Sequence, residues 1–210
     1  MLKIFNGFDS GQSSDTFRSM LIDRKKVFID RLRWDLSSTV DGFEVDEYDN
    51  SNATYLIICD EYGRHAASLR IIPTLAPTML FDYFGELSRG IPRSLLTWEV
   101  TRFVTSPNSS SLQAAARLMW VGYRFAMRAG VEKILSVTEK RIALQMRACG
   151  SRPAKLNTAK YKTETVSLCD WNVDNFNSEK LIRRANLNNS LKKKYSVALS
   201  EYQFCQTIEY

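Results

Sequence analysis

The stretch Thr97-Trp98-Glu99-Val100-Thr101-Arg102-Phe103-Val104 constrains the fold most. Aromatic and β-branched residues dominate it, and Pro92 and Pro107 bound it, so it reads as a short buried strand. Glu99 and Arg102 nevertheless stand at its centre. Ionised groups on a buried strand are unfavourable unless they are paired or a ligand needs them. Two readings follow: a structural Glu99–Arg102 ion pair, or a charged site that a ligand completes. Strict alternation places residues three apart on opposite faces of a strand. If both charges serve one cleft, the strand must contain a bulge, which inserts a residue and re-aims a side chain.

A chain of 210 residues is long enough for one domain with a sizeable core. Its 44% hydrophobic and 25% charged residues place it with soluble globular proteins. It has no apolar run of about 18 residues, so no membrane span is expected. Met1-Leu2-Lys3-Ile4-Phe5-Asn6-Gly7 has neither an apolar signal core nor a small-residue cleavage site. Cys59, Cys149, Cys169 and Cys205 are widely spaced, as free thiols in a reducing cytoplasm would be. His65 is the sole histidine, so a Ser-His or Cys-His pair would have to use it, and no metal site is expected.

Charge is unevenly placed. Residues 1–127 hold 14 Lys and Arg against 15 Asp and Glu, residues 128–165 hold 9 against 3, and residues 166–210 hold 6 against 5. The net charge of +6 therefore resides in one segment of the second half. It is either a solvated face or a surface for an acidic partner, nucleic acid or protein.

In chain order, residues 2–6 suit a first strand. Ser13 or Ser14 can cap a helix beginning near Asp15, along which Phe17, Met20, Leu21, Arg24, Val27, Phe28 and Arg31 recur at helical spacing. Arg24 thus falls on the apolar stripe, either snorkelling at the core edge or pointing into a cleft beside Phe28. An unpatterned segment leads through Asp41-Gly42 to the carboxylate-rich Phe43-Glu44-Val45-Asp46-Glu47-Tyr48-Asp49-Asn50. Residues 53–59 and 65–72 form a strand hairpin, and Arg70 stands between Leu69 and Ile71 in its second strand. A short aromatic helix or turn spans residues 80–87. After the central strand, Ser109 to Ser111 begin a helix over residues 112–129, where unpaired N–H groups can receive an anion. A strand over 134–138 and a helix over 140–148 follow, with late strands expected at 161–169 and 196–204. Residues 1–210 read as a single α/β domain.

Arg24-x3-Phe28-x5-Trp34-Asp35, Asp46-x2-Tyr48-Asp49, Leu69-Arg70-Ile71-Ile72-Pro73-Thr74, Met79-Leu80-x3-Phe84 and Trp98-Glu99-x2-Arg102-Phe103 occur in this order. Together they resemble the motifs of the acyl-homoserine-lactone synthases, the autoinducer synthases of bacterial quorum sensing. The likeness is strong from residue 24 to about 105 and general beyond. It implies an N-acetyltransferase-like fold, a mixed twisted sheet flanked by helices with a cleft for a pantetheine arm. It also implies acylation of the amine of S-adenosylmethionine by an acyl thioester on acyl carrier protein, followed by lactone closure that releases methylthioadenosine. S-adenosylmethionine is then a substrate and no cofactor is expected.

The resemblance makes Glu99 the catalytic residue. It places Arg24, Phe28, Trp34, Asp46, Asp49, Arg70, Phe84, Arg102 and Phe103 around S-adenosylmethionine. The chemistry agrees: an α-ammonium must lose a proton before attacking a thioester, which needs a carboxylate in a poorly solvated site. Asp46 and Asp49 suit the cationic part, and Phe28 and Trp34 can pack on the sulfonium or adenine. Arg70 and Arg102 read as the scaffold of the charge network, and Arg24 as a partner of the substrate carboxylate or of the aspartates. Ser109 and Ser110 replace the glycine-rich pyrophosphate loop of acetyltransferases, which fits the single phosphate of phosphopantetheine better than coenzyme A. Thr138 lies near the family's hydroxyl position for a 3-oxo acyl chain. The carrier patch is assigned to Arg147, Arg152 and Lys155. A cytoplasmic monomer without a nucleic-acid partner is expected. The rivals are an N-acetyltransferase using acetyl-CoA, which gives no reason for Trp34 and Asp46/Asp49, and a basic nucleic-acid-binding module. The latter predicts aromatics among the basic residues, where only Tyr161 stands.

Overall fold

A computed structural model describes residues 1–109, 111–162, 164–174 and 178–204. Seven strands form one sheet: β1 (Leu2–Asn6), β2 (Thr54–Cys59), β3 (His65–Pro73), β4 (Thr97–Thr105), β5 (Lys133–Glu139), β6 (Ala154–Tyr161) and β7 (Glu164–Asp170), in the spatial order β1-β2-β3-β4-β5-β7-β6. Strands β1 to β4 are antiparallel neighbours in chain order; a short turn joins β2 to β3, while long segments join β1 to β2 and β3 to β4. Strand β5 then joins β4 in parallel, and the crossover this requires is helix α3 (Ser111–Arg128). The parallel pairing lasts only from Thr97↔Lys133 to Glu99↔Leu135, although β4 continues to Thr105 and β5 to Glu139. The two strands therefore part just beyond Glu99, and a cleft opens there.

Alternation sorts the side chains onto two faces. Leu56, Ile58, Leu69, Ile71, Trp98 and Ile134 join the apolar stripe of α3 in the larger core. On the opposite face, helix α1 (Asp15–Lys25) lays Phe17, Met20 and Leu21 on Tyr55, Ile57 and Ile72. It continues as a π-helical turn, Lys26–Arg31, that carries Phe28, and Arg33 follows with φ +58°. A π turn with a left-handed arginine behind it is a locally costly arrangement of a kind that clusters at functional sites.

Two bulges re-aim side chains. Ser68 faces Val104 but Arg70 faces Thr101, so β4 holds one extra residue there, and Arg102 has φ +51°. This is the bulge that a shared face for Glu99 and Arg102 requires. In β3, Ala67 faces Ile58 while His65 faces Cys59, which makes Ala66 the extra residue.

Helices α2 (Met79–Tyr83) and α4 (Lys140–Cys149) lie as the sequence indicates. The late chain differs. Residues 161–169 are not one strand: β6 ends at Tyr161, and β7, antiparallel to it, begins at Glu164. Residues 196–204 are no strand: helix α6 (Asn189–Glu201) occupies most of them, after the short α5 (Glu179–Arg184). The Asn188 side chain caps α6 by accepting from Leu191 N–H at 2.8 Å, and Leu191, Tyr195 and Leu199 repeat every four residues toward α3. The strand expected at 196–204 gives way to a helix because the four-residue apolar spacing prevails.

Gly150 ends α4 at φ +110°, and a Cβ there would lie 2.5 Å from Leu181 N. Gly63, at φ +78°, has no atom within 4 Å of such a Cβ. Gly63→Ala should cost about 1–2 kcal/mol from backbone strain alone. Gly150→Ala should cost clearly more, because α5 must also shift; urea denaturation of both variants checks the difference.

Candidate active site

Three arginines and three carboxylates interlock on the cleft face. Arg24 donates from Nε to Glu44 at 2.5 Å and clamps Asp49 through both terminal nitrogens at 2.9 and 2.8 Å. Arg70 binds Asp46 through both terminal nitrogens, reaches Asp49 Oδ1 at 2.9 Å and donates from Nε to Thr101 at 3.0 Å. Arg102 grips Glu44 at 2.9 and 3.1 Å and meets Asp46 at 2.7 Å. Tyr55 adds a hydroxyl to Asp49 at 2.7 Å. Six charges thus cancel in a region where Arg24, Arg70, Glu44 and Asp49 have side-chain exposures of 1% or less. Burial opposes ionisation of Asp46 and Asp49, but the adjoining arginines outweigh it and hold both carboxyls below their ordinary range.

This geometry changes the expected division of roles. Asp49 is closed over by Arg24, Arg70 and Tyr55 and has no exposed side-chain surface, so it acts here as framework and not as a cation receptor. Asp46 keeps 12% of its side chain exposed and is the member that borders the cleft. Arg24 ties down carboxylates, and neither it nor Arg102 pairs with Glu99. Glu44 went unrecognised among its acidic neighbours, since no local pattern separates it from Asp41, Asp46 and Glu47.

Phe28 and Trp34 stack with centroids 4.9 Å apart and planes within 6°, and Arg102 lies over the Phe28 ring at 5.7 Å. Phe84 packs near Tyr161 at 4.9 Å and against the cluster that contains Leu80 and Leu135. Phe103 does not join this group; it packs against the α3-side core because the bulge turns Arg102, not Phe103, to the cleft. Thr138 sits on the α3 side of β5, opposite the face of Glu99 and Leu135, with its hydroxyl toward Cys169 Sγ at 3.3 Å. The Ser109 hydroxyl donates to Ala66 O and Ser106 O, which anchors the loop before α3; Ser110 lies outside the described residues. Arg147, Arg152 and Lys155 are exposed on α4, in the loop that follows it and at the start of β6, and none pairs with the charge cluster.

His65 bridges Asp23 (Nδ1, 2.9 Å) and Ser68 (Nε2, 3.0 Å), and the Ala66 bulge brings it onto that face. The order resembles a nucleophilic triad, but Ser68 is 1% exposed, so no substrate reaches it. The chain of bonds instead joins α1 to β3. Among the described residues no His, Cys, Asp and Glu group is arranged to hold a metal.

Glu99 stands apart. It is fully buried, and neither carboxylate oxygen has a hydrogen-bond partner among the described residues. Burial raises its pKa from 4.5 to about 7; Leu80 N–H, Arg70 and Thr78 moderate the rise without meeting strict hydrogen-bond geometry, and Asp82 adds to it. A carboxylate titrating near neutrality where two strands part is suited to take up and return a proton.

The family described as "Autoinducer synthase" matches residues 10–181. An acyl-homoserine-lactone synthase of Aliivibrio fischeri is 36% identical over 135 residues, 61% of this chain and 69% of that protein. One of Rhizobium etli is 30% identical over 185 residues, 84% of this chain and 85% of that one. The solved coenzyme A-dependent synthase BjaI, bound to SAM and isopentyl-CoA, superposes with a TM-score of 0.75 at 19% identity, covering 94% and 99% of the two chains. A protein assigned as an N-acetyltransferase, from Lactobacillus plantarum, has the same fold at a TM-score of 0.53 and 15% identity, over 80% of this chain and 96% of its own. The chain belongs to the autoinducer synthase family, and it is an acyltransferase of the acyl-homoserine-lactone synthase type.

Removing one member of the cluster leaves a buried charge without its counterpart. Glu44→Gln should therefore destabilise the protein by about 3–5 kcal/mol. Adding Arg102→Met should recover part of that loss by restoring neutrality. Urea unfolding of the single and double variants at pH 7 measures both.

Proposed function

We propose that the protein acylates the α-amine of S-adenosylmethionine with an acyl group from acyl carrier protein, then closes the lactone and releases methylthioadenosine. The observation that carries this reading is Glu99, a buried carboxylate with a pKa of about 7 at the parting of β4 and β5. The carboxylate takes a proton from the substrate ammonium. The freed amine attacks the thioester carbonyl, forming the C–N bond; as the C–S bond breaks, the nitrogen's second proton passes to the leaving thiolate, and Glu99 releases the first to solvent. The Arg102 bulge interrupts the β3–β4 ladder, and in this reading backbone N–H groups near residues 100–104 stabilise the carbonyl oxygen as it gains charge. In the second step the substrate carboxylate attacks its own γ-carbon and the sulfonium leaves. Positioning is the protein's main contribution to it.

The charge cluster supports this role by holding Asp46 and the Phe28–Trp34 stack at one wall of the cleft for a cationic, aromatic substrate. An acetyl-CoA-dependent N-acetyltransferase shares the fold but has no need of this wall. The acyl chain would thread between the splayed β4 and β5 to reach Thr138 on the other face.

Glu99→Gln keeps the shape and removes the base, so turnover should fall to background while S-adenosylmethionine still binds. The variant should also be more stable. Unfolded glutamate ionises above 4.5 whereas the native group stays protonated to about 7, so the wild type loses stability as pH rises through that window. The variant's advantage should approach about 3 kcal/mol at pH 8 and vanish below pH 4.5. Near-wild-type turnover would end the assignment.

The donor is inferred from the exposed basic residues Arg147, Arg152, Lys155 and Lys160, which suit an acidic carrier. Arg147→Glu with Arg152→Glu should raise KM for acyl carrier protein and flatten its salt dependence, leaving KM for S-adenosylmethionine unchanged. Parallel salt curves would point to a coenzyme A thioester as the donor.

A further inference from the structure

Glu99 is roofed by one short stretch of chain. Thr74 N–H donates to Thr97 O at 2.8 Å, which anchors that stretch beside β4. Ala76 packs in the cluster containing Ile72, and Leu80 packs in the cluster containing Leu135. Ile72 and Leu135 are the cross-strand neighbours of Glu99, one on each side. Residues 76–80 therefore cross over Glu99, with Thr78 midway.

Thr78 is fully buried and immediately precedes α2. A threonine there ordinarily accepts a hydrogen bond from the first turn of the helix, a contribution of about 1 kcal/mol. Thr78 makes no such bond. Its hydroxyl oxygen and both Glu99 oxygens lack a partner among the described residues. Buried polar atoms without partners are rare, and each is destabilising. Two such groups facing each other are held for something other than the fold.

We propose that Thr78 is a positioning residue for Glu99, its hydroxyl donating to the carboxylate when that group ionises and fixing it toward the cleft. A hydroxyl donates more strongly to an ionised carboxylate than to a neutral carboxyl, so this bond favours the charged form. The inference rests on the reading of Glu99 as the base. The charged groups facing Glu99 are Arg70 from β3, which favours ionisation, and Asp82 from α2, which opposes it. Neither is altered by changing Thr78.

The test is the acid limb of kcat against pH at saturating S-adenosylmethionine, for wild type, Thr78→Val, Thr78→Ala and Thr78→Ser. The carboxyl C=O stretch is followed in parallel by infrared titration and assigned with Glu99→Gln. A hydrogen bond to a charged group corresponds to a shift of about one pH unit or more. Valine and alanine should move both the limb and the infrared midpoint upward by that amount, lowering kcat about tenfold below the limb, with KM for S-adenosylmethionine unchanged. Serine should restore the wild-type values. An unmoved limb and midpoint, even with a loss of thermal stability, would overturn the proposal and leave Thr78 a packing residue. If the wild type shows no limb near neutrality and no infrared band removed by Glu99→Gln, the base assignment itself fails, and this inference with it.

Discussion

Everything on the cleft face depends on the mutual cancellation of Arg24, Arg70 and Arg102 with Glu44, Asp46 and Asp49. These groups come from α1, the segment before β2, β3 and β4, so four parts of the chain meet at one neutral cluster. Desolvating six charges is costly, and apolar residues of equal volume can be as stable or more so. The return is geometric. Each guanidinium is a rigid fork that satisfies its partners in one arrangement, so the segment from 43 to 49, which has no regular secondary structure, is held as firmly as a strand.

Glu99 shows the opposite solution in the same neighbourhood. Its carboxylate is as buried as Glu44, yet the latter is bonded to two arginines and the former to none. Environment alone separates a structural anion from a group that exchanges protons near neutrality. The protein loses stability through Glu99 and keeps it through the cluster beside it, which is the expected distribution of strain around a reacting centre.

How far the site was legible in the sequence differs residue by residue. The charges on apolar stripes, Arg24, Arg70, Glu99 and Arg102, announced themselves, because a helix or strand has no structural use for an unpaired charge on its buried side. The bulge followed from the three-position offset between Glu99 and Arg102, once both are taken to serve one cleft. Glu44 was obscured by the acidic residues around it, and Phe103 was misplaced because the bulge decides which of two neighbours turns inward. The His65–Asp23 contact joins residues 42 apart and depends on a second bulge that no local pattern records.

Composition and spacing determined the order of most strands and helices up to residue 149, since hydrophobic period is a local property that each element carries in its own residues. They also showed charged groups on apolar stripes, where each needs a partner or a ligand. Which carboxylate pairs with which arginine, and that Glu99 pairs with none, only the tertiary structure decided. So too the parting of β4 from β5 and the crossing of Thr78 over Glu99. Those outcomes depend on contacts between segments distant in sequence, where desolvation and charge are balanced among all the neighbours at once and no single stretch contains the answer.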